Sequence, residues 1–260
     1  MRSLYPVAAA ALLIGASAQA APTNVPAQQS TIKYSTTGGV TSGFGNYARA
    51  TSTVVYDPVA NTYTIRDTGS LTTKSTFGPT GTPSGNFTIY TKSATETFRV
   101  LNQGAVSLTY VDFGEWKRSS TADGTTSVND TYLVWGSKTA RGDLPLSGSA
   151  IYSTIYDGNF VDKNGEHALN GSGGITANFG TGMLSYTANI NGVPVGALAF
   201  AGNGTINSKQ VGFTTTNTTS GYTLSQYGNF YGPQAAEVGG LFRLSAGRTG
   251  SGQGAFAGHQ

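Results

Sequence analysis

The sequence predicts an all-β protein whose C-terminal part closes into a small antiparallel barrel. Three observations carry this. Charged residues are only 10% of the 260 and glycine supplies 37, a balance that favours short strands and tight turns over helices built from Glu, Lys and Leu. Strand-like stretches rich in Thr, Val, Tyr and Phe, separated by turn residues, run through most of the chain. From residue 144 onward eight such stretches follow one another with short connections, enough to close a barrel and leave no free sheet edge.

Taken in order, residues 1–20 read as a signal peptide. Arg2 gives a positive start, 7–15 an apolar run too short to span a bilayer, and Ala18-Gln19-Ala20 the small residues that predict cleavage after Ala20. Residues 21–30, with Pro22 and Pro26, read as a mobile polar leader, and 31–140 as an N-terminal β domain. Its strands are expected at 51–56 and 62–67, flanking the turn Asp57-Pro58-Val59-Ala60-Asn61, then at 87–92, 95–101, 106–115 and 131–138. Residues 77–85, with two prolines, read as a long loop, and Ala122-Asp123-Gly124-Thr125 as a hairpin turn.

Arg141-Gly142-Asp143-Leu144-Pro145 interrupts the pattern and marks the boundary; its adhesion-like tripeptide is adequately explained by that position. Barrel strands are expected near 147–155, 168–178, 183–189, 195–206, 210–216, 222–231, 240–246 and 252–258. Asn164-Gly165 and Asn191-Gly192 suit the positive φ angles of type I′ hairpin turns. Gly-x-Phe-x-Gly recurs at 228–232 and 254–258, and period-2 alternation puts each Phe on the same face as its two glycines. A large ring between residues without side chains suits a narrow, strongly curved interior.

The densest segment runs from Gly228 to Leu244. Pro233 is expected to start one helical turn that Ala235, Ala236 and Glu237 continue and Gly239-Gly240 end, with Glu237 accepting bonds from unpaired backbone N–H groups rather than doing catalysis. This segment resembles the barrel signature of the transferrin-binding protein B-like family of Gram-negative bacteria, which includes the haem-binding hemophilins. The matching positions are Gly228, Phe230, Tyr231, Gly232, Pro233, Ala235, Glu237, Gly239, Gly240 and Phe242. Residues 144–152 and 173–179 look like the first two strands of that barrel, and 110–116 is a weaker echo. The resemblance implies an eight-stranded barrel over 144–260 preceded by a smaller β "handle" domain. It implies a non-enzymatic binding protein that captures an iron source, haem or an iron-carrying protein, through loops at one end, in concert with an outer-membrane receptor. Family members are typically lipid-anchored through an N-terminal cysteine, and this sequence has no cysteine. The expectation is therefore an unlipidated exported protein, periplasmic, held at the outer-membrane surface or secreted.

Other chemistry is sparse. The net charge is +3 and the seven lysines are dispersed, so the electrostatic footprint of nucleic-acid binding is missing. No run of about 18 apolar residues follows the leader, and several barrel strands are shorter than a lipid-spanning barrel needs, so an integral membrane protein is not expected. His167 and His259 are the only histidines, and no zinc or serine-hydrolase spacing exists. His167, beside the turn at 162–166, is either a haem ligand, since neutral imidazole suits iron, or a solvated loop histidine. The same turn has a passing look of a calcium loop but lacks most of the ligand series, and a hairpin is preferred. The loops at 157–168 and 75–86 are the expected capture loops. The alternative function is a carbohydrate-binding or adhesive surface protein, in which Trp116 and Trp135 would stack on sugars.

Overall fold

The computed structural model describes residues 23–67 and 74–260. The expected signal peptide and its Ala20 cleavage site lie outside them. Two sheets account for the strands of the described residues, all of their pairings antiparallel. The first has nine strands: β1 (Thr23–Thr37), β2 (Val40–Asp57), β3 (Thr62–Asp67), β4 (Lys74–Phe77), β5 (Thr82–Ser84), β6 (Phe87–Ser93), β7 (Glu96–Leu101), β8 (Val111–Ala122) and β9 (Thr125–Gly136). Their spatial order is β4-β3-β2-β1-β9-β8-β7-β6-β5. The sheet curls until its two flanks meet: Lys92 Nζ donates to Ser75 Oγ at 2.9 Å, and the Phe77 and Phe98 rings lie 5.5 Å apart.

The second sheet is a closed barrel of β10 (Ser149–Asp162), β11 (Gly165–Asn178), β12 (Met183–Val193), β13 (Gly196–Asn207), β14 (Gly212–Thr219), β15 (Tyr222–Tyr231), β16 (Glu237–Ser245) and β17 (Gly250–His259). Each of the eight strands expected from the sequence has its counterpart, and β17 returns to pair with β10. Alternation explains the closure. Along β12, Leu184, Tyr186, Ala188 and Ile190 are buried while Ser185, Thr187 and Asn189 are exposed. The interior is filled by rings, among them Tyr152, Tyr156, Phe160, Phe200, Phe213, Phe230, Phe242 and Phe256. Glycine makes room for them. A Cβ on Gly228 would sit 2.2 Å from the Phe213 ring, and one on Gly254 would sit 2.5 Å from Phe242 and 2.2 Å from the Asp157 carbonyl oxygen.

Several local expectations are corrected. The mobile leader 21–30 is largely strand: β1 begins at Thr23, and its Pro26 faces Thr53 of β2 in register. Long Thr/Ser/Gln strands carry no apolar alternation, so composition alone read them as unstructured. Residues 77–85 hold the end of β4 and the short edge strand β5, and the strand expected at 106–115 begins only at Val111, after a 3-10 turn at Gln103–Val106. Asn191-Gly192 is a bulge in β12, with the turn at Pro194-Val195; Gly192 has φ 100° and a Cβ there would lie 1.9 Å from the Ala168 carbonyl oxygen. At the other hairpin the positive φ (132°) belongs to Gly165. The turn after Pro233 ends at Ala235, and Glu237 opens β16.

The two sheets are fused through β1, β2, β8 and β9 on one side and β10, β16 and β17 on the other. Leu101, Val111, Phe113, Tyr132 and Val134 pack on Tyr231, Leu241, Ala255 and Ala257 of the outer barrel wall. β16 and β17 are consequently buried on both faces.

Candidate functional site

The concave face of the nine-stranded sheet is aromatic. Asp112 and Trp135 face each other across β8 and β9, and Tyr56 and Tyr63 across β2 and β3. The Tyr56 and Tyr63 rings are 4.7 Å apart, Tyr63 lies 5.6 Å from Phe98, and Phe98 lies 6.0 Å from Trp135. At one end of this stack a cavity of about 550 Å³ opens, lined by Tyr56, Tyr63, Tyr110, Trp135 and Asp112 together with Val25, Val54, Gln103, Thr109, Gly136 and Ser137.

Asp112 is the one acidic residue of this cavity and is 8% exposed. One carboxylate oxygen accepts the amide hydrogen of Phe113 at 2.8 Å, its one hydrogen bond among the described residues. Burial holds its pKa well above the ordinary carboxylate range. Burial, and then the Asp112 charge, raise the Tyr63 phenol.

One wall of the cavity, formed by Thr109 and Tyr110, is held in place by the barrel signature. Glu237 accepts three backbone N–H groups from the segment before β8: Thr109 at 2.6 Å, Tyr110 at 2.8 Å and Val111 at 2.9 Å. The role expected for Glu237, an acceptor for unpaired amides, holds, but the amides belong to the other sheet and not to its own turn. Gly232 and Gly239 let this segment approach: a Cβ on Gly232 would meet the Tyr110 ring at 2.4 Å, and one on Gly239 the Val111 side chain at 2.6 Å. The signature thus clamps the strand that presents Tyr110 and Asp112.

Between the sheets runs a polar seam. Arg99 donates to both carboxylate oxygens of Asp157 at 2.9 and 2.6 Å, and to Glu115 at 2.9 Å. Asn159 donates to Glu115 at 2.7 Å and to Asp130 at 3.0 Å. Lys117 pairs with Glu166, which also accepts the Tyr34 hydroxyl at 2.5 Å. Burial pushes Asp157 up to about 6 even beside Arg99, and burial together with Glu115 raises Asp130 strongly. Glu115, Asp130 and Glu166 each offer a carboxylate oxygen within 4.8 Å of the others, and Lys117, whose pKa the same three groups raise against desolvation, is their built-in counter-charge.

The capture loops expected from the sequence are reduced. Residues 157–168 are mostly the paired strands β10 and β11, and 75–86 includes β4 and β5. His167 faces Phe160 across β10 and β11, with Nε2 3.3 Å from Asp162, and does not line the aromatic cavity. Trp116 is fully buried beneath Arg118, whereas Trp135 reaches the cavity.

No protein-family model and no curated protein sequence matches the chain. Its fold does match solved structures. A single-site mutant of transferrin-binding protein B from Haemophilus parasuis superposes with a TM-score of 0.54 at 17% identity, over 88% of this chain and 45% of that one. The isotype 1 transferrin-binding protein B of serogroup B Neisseria meningitidis does so with a TM-score of 0.54 at 14% identity, over 88% and 43%. The fold is that of a transferrin-binding protein B lobe. The chain spans a little under half the length of these transferrin-binding proteins.

Proposed function

We propose that the chain is an exported, non-enzymatic binding protein that captures an iron source, either haem or an iron-carrying protein, with the handle as its capture element. The observation that carries this reading is the aromatic cavity, held open next to the barrel signature by the Glu237 clamp. The two similar structures are named for binding transferrin, which supports the iron-carrying partner. Their fold is joined here to a cavity large enough for a ligand group and to a seam that holds handle and barrel in a fixed relation. Outward residues of β12 and β14, such as Ser185, Thr187, Asn189, Thr214 and Thr216, are polar, which supports a barrel that faces water rather than lipid. Export with cleavage after Ala20 and without lipidation completes the reading, and N-terminal sequencing from the native host tests it: a start at Met1 overturns export.

Haemin titration into the mature protein tests the cargo. A sharpened Soret band means ligated iron, and loss of that band in H167A identifies His167 as the ligand, which would have to leave Asp162 to reach iron. An unchanged spectrum at micromolar protein removes haem and leaves the protein partner. Carbohydrate binding is the second reading, favoured by Trp135 at the cavity; a glycan array with wild type and W135L separates it.

A further inference from the structure

The handle cavity has a chemical bias that narrows what it can hold. Its lining contains one carboxylate and no lysine, arginine or histidine. Asp112 makes a single hydrogen bond, to a neighbouring amide, and the second carboxylate oxygen takes none from the described residues. A carboxylate that is 8% exposed, without a cationic partner, normally finds one or becomes neutral. Around it stand the aromatic side chains of Tyr56, Tyr63, Tyr110 and Trp135, a ring type whose quadrupole attracts positive charge. The protein satisfies other cations in this way already: the Arg49 guanidinium lies 3.8 Å from the Tyr227 ring centroid, and that of Arg118 lies 3.9 Å from that of Trp116.

We infer that the cavity receives an organic cation, a primary ammonium or guanidinium group that sits between the tyrosine and tryptophan faces and closes on the Asp112 carboxylate. The same cavity offers an anion little, since no positive side chain is present in its lining to balance a phosphate or carboxylate group. A cavity of about 550 Å³ is larger than one lysine or arginine side chain, so the cation enters with the atoms that carry it. Those atoms belong to a side chain of a partner protein or to a free polyamine. The inference rests on the reading of the handle as a capture element and refines it: what is gripped is a cationic group of the partner, with haem, if carried, held elsewhere.

Isothermal titration of the intact mature protein with Nα-acetyl-lysine methylamide, Nα-acetyl-arginine methylamide, spermidine and the neutral Nα-acetyl-norleucine methylamide tests this. Saturable binding of at least one cation is expected, with norleucine failing to bind. D112N keeps an oxygen for the Phe113 amide and is expected to weaken the cation by about tenfold or more. Should D112N not fold, Y56L, at a half-exposed position on the wall, is expected to weaken it severalfold. Tighter binding of the amino-acid amides points to a partner side chain, and tighter spermidine to a free polyamine. Equal binding of norleucine, or unchanged affinity in the variants, overturns the inference. If haemin or an iron-carrying protein binds wild type and D112N alike while no cation binds, the cation site falls and the proposed function stands. If none of these ligands binds, both fall.

Discussion

At the scale of single residues, the protein depends on acids and glycines whose roles only the fold reveals. Glu237 takes three N–H groups of the handle on one carboxylate, and its removal leaves three donors near the sheet interface unsatisfied. E237A is expected to lower the unfolding free energy by about 3 kcal/mol, measured by urea denaturation, because charge-assisted bonds to buried groups are among the stronger ones. Two glycines of the same barrel should behave oppositely. A Cβ on Gly254 would meet a carbonyl oxygen at 2.2 Å, whereas the nearest atom to one on Gly174 is 3.6 Å away. G254A is expected to destabilise by about 1–3 kcal/mol or more. G174A should be neutral or stabilise by up to about 1 kcal/mol, since it mainly restricts the unfolded chain. Asp112 carried a signal against burial in the sequence: between Val111 and Phe113 in a strand, alternation puts it on the other face and reads it as solvent-facing, whereas β8 is buried on both faces there. Its cavity carried none, because Tyr56, Tyr63, Tyr110 and Trp135 come from separate strands.

At the scale of elements, the barrel was legible and half of the handle was not. Strands β10–β17 alternate apolar and polar residues against a filled interior, so their period survives in the sequence. β1 and the first part of β2 are rich in Thr, Ser, Gln and Gly with few large apolar residues, and they are placed by pairing with each other and, for β1, with β9. The seam joining β7–β9 to β10 and β11 gives a pH prediction. Asp157 rises to about 6 from an unfolded value near 4. An acid whose folded pKa is raised stabilises below its unfolded pKa, and this contribution disappears as pH rises through the folded value. The unfolding free energy should therefore fall between about pH 4 and pH 7, on the order of 3 kcal/mol from Asp157, with Asp130 acting in the same sense. Glu96 and Asp162, whose pKa values are lowered, oppose this only below the ordinary carboxylate range. D130N should match wild type in urea midpoint at pH 5 and exceed it at pH 8; a lower midpoint at both would contradict the assignment.

At the scale of the molecule, the handle and barrel are mutually required. Tyr231, Leu241, Ala255 and Ala257 on the barrel wall are buried only because the handle covers them. A fragment of residues 144–260 is expected to bind a hydrophobic dye and aggregate, whereas the full chain unfolds in one cooperative transition by calorimetry. The seam has a consequence for colloidal behaviour as well. A tenth of the residues are charged, and Arg99, Glu115, Lys117, Asp130, Asp157 and Glu166 are largely withdrawn into the joint. What remains toward water on β12–β14 is hydroxyl, amide and methyl. Such a protein stays dispersed by hydration of neutral groups rather than by mutual repulsion. Its solubility should change little with ionic strength, and crossing the isoelectric point near 9.0 should not precipitate it.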